Sequence, residues 1–217
     1  MMKVTMARLL CAGTLMVTPV LGHALTITDN ANDFLPTFNG NVSTWADLDV
    51  ISATALYDAG TDLYRLTATM NAPITQNADH LYVWGVNRGA GTAGFASNGI
   101  SGVVFDDVVL VKPDGTGSVA SGGSLTAGSI SISGATISAV VKGSLLPSTG
   151  FNKLDYTWNL WPRDISGTDF GQIADFAPDN SDFATTPGTV VPEPETYVLM
   201  LAGLGLVGWA ARRRAVR

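Results

Sequence analysis

The sequence predicts an all-β domain, an antiparallel β-sandwich of jelly-roll or immunoglobulin-like type, flanked by an N-terminal signal helix and a C-terminal transmembrane helix. Three observations predict the domain. Between positions 25 and 191 all 16 acidic residues are Asp and none is Glu, and aspartate favours turns and caps over helix interiors. The same stretch is rich in Gly, Ser, Thr and Val, residues of turns and strands. Finally, short alternating or uniformly apolar runs recur between Gly, Pro and Asp clusters, at a spacing that fits roughly seven to ten strands. A closed barrel is the second choice.

The strands follow in order. Residues 50–57 and 63–70 flank Asp58-Ala59-Gly60-Thr61-Asp62 and read as a hairpin with a polar loop. In the second of these, Tyr64, Leu66, Ala68 and Met70 share one face and Arg65, Thr67 and Thr69 the other, so one face is core and one is wet. Residues 81–86 and 103–112 are more uniformly apolar, as expected of strands covered on both sides. A Gly-rich loop, 87–102, separates them. Pro113-Asp114-Gly115-Thr116-Gly117 is a turn, since Pro presets φ and Gly supplies a positive one. The run 130–141 alternates but changes phase at Gly134, which predicts a bulge or tight turn there. Leu154, Tyr156, Trp158 and Leu160 alternate with Asp155, Thr157, Asn159 and Trp161; after Pro162 the chain reads as an Asp-rich loop.

The two ends read differently. Lys3 and Arg8 precede the apolar run 9–17, then Pro19 and Gly22-His23-Ala24. That is the layout of a secretory signal peptide cleaved after Ala24; the run is too short to span a bilayer and ends in a helix breaker. The only cysteine, Cys11, lies at the start of that run rather than its end, which argues against lipid attachment. At the other end, Pro192-Glu193-Pro194 is followed by 197–211 without a charge and then by Arg212-Arg213-Arg214. The prolines hold the motif extended for presentation to an enzyme's cleft. The uncharged run would form a helix of about 22 Å, short of a bilayer core of about 30 Å. The arginines are a membrane stop signal that keeps the C-terminus cytoplasmic and the bulk of the chain outside.

These three parts, in this order, resemble the PEP-CTERM sorting domain of Gram-negative bacteria. The resemblance implies recognition by an exosortase, a membrane-embedded cysteine peptidase that cuts near Pro192-Glu193-Pro194, and an association with exopolysaccharide and biofilm systems. An ordinary anchor that is never processed is the plain alternative. The expected layout is a signal peptide over 1–24, a β-sandwich over 25–181, a linker over 182–191 and the sorting and anchor segment over 192–217. Export by the secretion machinery, a transient hold on the inner membrane and final delivery to the cell surface or beyond follow from it.

Two of the 12 basic residues lie in the leader and four in the tail, and two of the 18 acidic residues, Glu193 and Glu195, lie in the tail. The exported region thus carries six basic and 16 acidic side chains, a formal charge of −10, which makes nucleic acid a poor partner. It has no cysteine and one histidine, His80, so multi-histidine zinc sites and thiol nucleophiles are excluded. A Ser-His-Asp triad would need His80, which reads as a solvated turn residue without a G-x-S-x-G motif. Asp106-Asp107 is the obvious carboxylate pair for glycoside hydrolysis, yet neighbours on a strand point to opposite faces. No enzymatic activity is expected.

No cofactor is required by these residues. Calcium is the candidate ion, because Asp-rich loops supply hard oxygen ligands, and Asp58 with Asp62 and Asp179 with Asp182 are its candidate ligands. Neither pair matches a known calcium loop. Trp161, on the polar face with Asp155 and Asn159, is the candidate platform for carbohydrate. Two readings of the domain result. It is a structural component of a cell surface or biofilm matrix, or else a carbohydrate-binding module that tethers the cell or its matrix to exopolysaccharide. An Asp-dependent glycoside hydrolase ranks third.

Overall fold

The computed structural model describes residues 25–188 and Leu204. The expected signal helix, Ala24, the Pro192-Glu193-Pro194 motif, all of the transmembrane run but Leu204, and the arginine stop signal lie outside the described residues. Residues 25–188 form two packed β-sheets and only short 3-10 turns.

The first sheet contains β1 (Ile27–Thr28), β2 (Val50–Asp58), β3 (Leu63–Met70), β8 (Ile130–Ser133), β9 (Thr136–Lys142) and β12 (Thr186–Pro187). Its order is β1-β2-β3-β9-β8, with β12 pairing β2 in parallel while every other neighbour is antiparallel. The second contains β4 (His80–Asn87), β5 (Asp107–Val111), β6 (Gly117–Val119), β7 (Gly123–Ser124), β10 (Thr157–Asp164) and β11 (Phe183–Ala184), ordered β11-β10-β4-β5-β6-β7. No ladder joins the sheets among the described residues. The result is an open sandwich rather than a closed barrel.

The predicted hairpins are present. Asp58 accepts the Gly60 N–H at 2.8 Å and the Thr61 hydroxyl at 2.7 Å, which closes the β2–β3 loop, and Asp62 takes a left-handed φ of 53°. The phase change at Gly134, whose φ is 59°, is a tight turn between β8 and β9. Asp114 likewise caps the β5–β6 turn by accepting the Thr116 N–H and hydroxyl.

Alternation decides which face of the first sheet is buried. Ala53, Ala55, Tyr64, Leu66, Ala68, Met70, Ile137, Ala139 and Val141 point into the sandwich, against Tyr82, Trp84, Val86, Val109, Val111, Trp158 and Leu160 of the second sheet. The second sheet is also covered outside. The 88–106 loop and the segment after β10 fold over it and enclose a separate apolar cluster of Leu81, Val83, Val103, Trp161, Ile173 and Phe176. This cover is why β4 is buried along almost its whole length and lacks alternation.

Two boundaries differ from the sequence reading. Pro162 lies within β10, where its missing N–H costs no ladder bond because that side faces the irregular 173–177 segment; the Pro162 carbonyl accepts the Ala174 N–H at 3.0 Å. Residues 182–188, expected in the linker, are paired into the fold. Phe183 and Ala184 pair with β10, Thr186 and Pro187 with β2, and the Gly188 N–H reaches the Tyr57 carbonyl at 2.7 Å.

Candidate functional site

Three chain segments meet at one end of the sandwich and bring five aspartates together. Asp29 and Asp33 follow β1, across a turn in which Asn32 has a left-handed φ of 65°. Asp49 closes the 3-10 turn Ala46–Leu48 just before β2. Asp175 and Asp179 lie in the segment that returns along β10. Backbone bonds fix the meeting: Asp29 N–H to the Ile51 carbonyl and Leu35 N–H to the Ala174 carbonyl, both at 2.8 Å.

Asp29, Asp33 and Asp179 each offer an oxygen within 4.8 Å of the other two, and so do Asp33, Asp49 and Asp175. Asp33 belongs to both groups. Asp49 and Asp175 are fully buried, Asp29 and Asp33 half-buried, and Asp179 exposed. The cluster therefore runs from the surface into the core.

Among the described residues the donors around it are few. Asp49 Oδ2 accepts the Asn32 N–H at 2.7 Å and the Asn71 amide at 2.8 Å, whereas its Oδ1 is buried and meets no donor. Asp29 Oδ1 accepts the Asn30 N–H at 3.0 Å, leaving a buried Oδ2 without one, and neither oxygen of Asp33 has a partner. Asp175 accepts N–H groups from Val50 at 2.9 Å and Phe176 at 2.7 Å. Burial, with the charges of Asp33 and Asp29 added to it, pushes Asp175 up to about 8 even against those bonds. Burial and the charges of Asp33 and Asp179 carry Asp29 up to about 6, and Asp33 is raised by burial and by Asp179 and Asp49.

The residues singled out from the sequence fall as follows. Asp179 joins this cluster. Asp58, Asp62 and Asp182 do not: Asp58 caps its loop, Asp62 is taken by the Tyr57 hydroxyl and the Lys153 ammonium, and Asp182 accepts from the Val104 N–H at 3.2 Å and the Thr157 hydroxyl at 2.9 Å. Their oxygens hold the chain's own donors.

Trp161 is only 2 % exposed. Its indole meets Phe95 edge-on at 5.1 Å and Phe105 at 5.0 Å, beneath the loop that covers the second sheet. As folded it is no platform for a sugar. Alternation placed it on the outer face correctly, but that face is covered.

His80 is buried, not solvated. Its Nδ1 lies 3.1 Å from Asp47 Oδ2, which also accepts from the Thr75 N–H and hydroxyl, and Trp45 packs edge-on against its ring. Among the described residues its Nε2 meets no partner, and none of their hydroxyls is poised on it as a nucleophile. Asp106 and Asp107 both reach Arg88, at 2.9 Å to Nε and 3.1 Å to Nη1. The opposite-face expectation fails because Asp106 precedes β5 rather than lying in it. One buried guanidinium binds both carboxylates and offsets one of their two charges, so neither stands as a free acid or base.

The outer face of the first sheet carries half-buried and exposed hydroxyls in register. Ser52, Thr69, Thr136 and Ser133 form one cross-strand row and Thr54, Thr67, Ser138 and Ser131 the next. Thr67 and Ser138 bond at 3.0 Å and Thr69 and Thr136 at 3.3 Å.

Residues 190–214 match the model of the PEP-CTERM protein-sorting motif. The chain thus carries that motif at its C-terminal end, where export and processing by an exosortase are implied. No curated protein and no solved structure matches the chain.

Proposed function

We propose that this chain is an exported structural protein, held briefly in the inner membrane by its tail, cut there by an exosortase and delivered to the cell surface or an extracellular, biofilm-type matrix. The match of residues 190–214 to the sorting motif carries this reading. The charge of the exported region supports it, since an acidic surface stays soluble and avoids anionic membranes and nucleic acid. The nature of its faces supports a structural rather than a carbohydrate-binding role. Trp84, Trp158 and Trp161 are all buried, and the open face of the first sheet is covered by serine and threonine instead of aromatic rings. Sugar-binding faces rely on exposed aromatic planes.

Intact-mass measurement of the protein from its native cell surface tests the processing step. The expected species lacks the segment from about Tyr197 onward, and a mature species ending at Arg217 would overturn it. Changing Pro192, Glu193 and Pro194 together to alanine should keep the protein in the inner membrane while its melting temperature stays that of the parent. Among the described residues the last backbone bond into the fold, from the Gly188 N–H to the Tyr57 carbonyl, lies before the motif.

A further inference from the structure

We propose that the sandwich binds one calcium ion through Asp33, Asp49 and Asp175, with Asp29 and Asp179 forming the acidic mouth through which the ion enters. Independently of how the tail is processed, three features point there.

The first is spacing. Oxygens that share one calcium ion at about 2.4 Å lie no more than about 4.8 Å apart, and the oxygens of Asp33, Asp49 and Asp175 meet that limit. The second is the state of Asp49. It is wholly buried, its Oδ2 is tied by Asn32 and Asn71, and this fixes the carboxylate with Oδ1 buried and free of any donor. A buried carboxylate oxygen without a partner is costly unless something positive completes it. Both oxygens of Asp33 share that condition. No Lys or Arg forms an ion pair with any of the five aspartates among the described residues.

The third is ligand type. All five groups are carboxylates, hard oxygen donors that suit calcium and magnesium rather than zinc or copper. Magnesium requires shorter, near-octahedral bonds and gives up its water reluctantly. Calcium accepts an irregular carboxylate cage with more ligands. The Asp175 oxygens already accept N–H bonds, but each keeps a second lone pair for a metal.

The ion would join the segment after β1, the entry to β2 and the strap along β10, and so clamp the two sheets together at one end. A domain assembled this way becomes rigid on reaching a calcium-containing medium.

The test uses the full chain in detergent micelles, stripped with EDTA, then titrated with calcium chloride while bound calcium and melting temperature are followed. Saturable binding of one calcium per chain is expected at or below the millimolar range typical of extracellular modules, about 10⁻³ M, with melting rising alongside. Asp33→Asn should weaken binding on the order of tenfold or more, since affinity follows ligand charge. In EDTA the same variant should melt no lower than the parent, because it relieves repulsion; a purely structural aspartate would lose stability in both conditions. Asp179→Asn, at the exposed mouth, should weaken binding by about threefold and decides the question if Asp33→Asn does not fold. Asp58→Asn should bind as the parent does. Absence of saturable binding, undiminished binding in both Asp33→Asn and Asp179→Asn, loss of it in Asp58→Asn, or equal competition by magnesium would each overturn the site.

Discussion

The Val50 N–H donates to Asp175 Oδ2 at 2.9 Å across 125 residues of chain. It ties the start of the first long strand in one sheet to the strap that runs along β10 in the other. Both groups are buried, so the bond cannot be replaced by water without opening the sandwich. Asp175→Asn and Asp175→Ala both remove the ionisable carboxyl and with it any repulsion from Asp33 and Asp29. They differ in that Asn retains an acceptor. In EDTA, Asp175→Asn is expected to be more stable than Asp175→Ala by about 1–3 kcal/mol, the cost of a buried N–H left unpaired. Urea unfolding of the two variants measures it, and equal stabilities would show that the bond contributes nothing.

Arg88 is the second long-range tie. Its side chain holds Asp106 and Asp107, and its carbonyl accepts N–H groups from Thr149 and Phe151. Burial would raise Asp106, but the Thr149 hydroxyl and the Arg88 guanidinium, with two backbone N–H groups, outweigh it and hold the carboxyl below the usual range. Arg88→Met leaves two carboxylates near each other with no cation and should cost about 3–5 kcal/mol. Adding Asp106→Asn should restore part of it, so a double-mutant cycle by chemical denaturation checks the prediction; strict additivity would contradict the pairing.

Acid should act through Asp47. Burial opposes its ionisation, yet hydrogen bonds from His80 and from the Thr75 hydroxyl and N–H outweigh burial and hold it below the usual aspartate value. A carboxyl lowered in the folded state contributes stability that is complete above its unfolded value of about 3.9 and disappears as pH falls through the folded one. Asp47→Asn should therefore be less stable than the parent at neutral pH, and the gap should close below about pH 4. Unfolding midpoints measured from pH 2 to 6 give the comparison. A gap that stays constant would locate the effect elsewhere.

The strands were legible because their signals are local. Leu66 and Thr67 sort to opposite faces by period alone, and Gly134 and Gly115 mark turns that their positive φ values require. The cover on the second sheet was half legible: the uniform run in β4 announces burial on both sides but not what does the burying, so Trp161 looked available. The aspartate cluster was not legible. Asp29 and Asp33 lie near one end of the domain and Asp175 and Asp179 near the other, and long-range contacts such as Leu35 to Ala174 and Val50 to Asp175 join them. Each pair shares a four-residue spacing that marks no site by itself. His80 misled for a related reason. Its partner Asp47 is 33 residues away, and a polar residue before a strand reads as solvated until that partner is known.

Gly85 tests the buried position of Trp161. A Cβ at residue 85 would come within 2.3 Å of the indole carbons Cη2 and Cζ3 and within 3.4 Å of Phe105 Cβ. The indole is walled by Phe95, Phe105 and Phe176, so it has little room to give way. Gly85→Ala should cost about 1–3 kcal/mol through overpacking, and Trp161→Ala about 3–5 kcal/mol through the cavity it leaves. Combining Gly85→Ala with Trp161→Phe should cost less than the two single changes together, because the smaller ring vacates the space that the methyl needs. Thermal or urea unfolding of the set checks this. If Trp161 instead lay open to solvent, Gly85→Ala would leave stability unchanged and move only the tryptophan fluorescence.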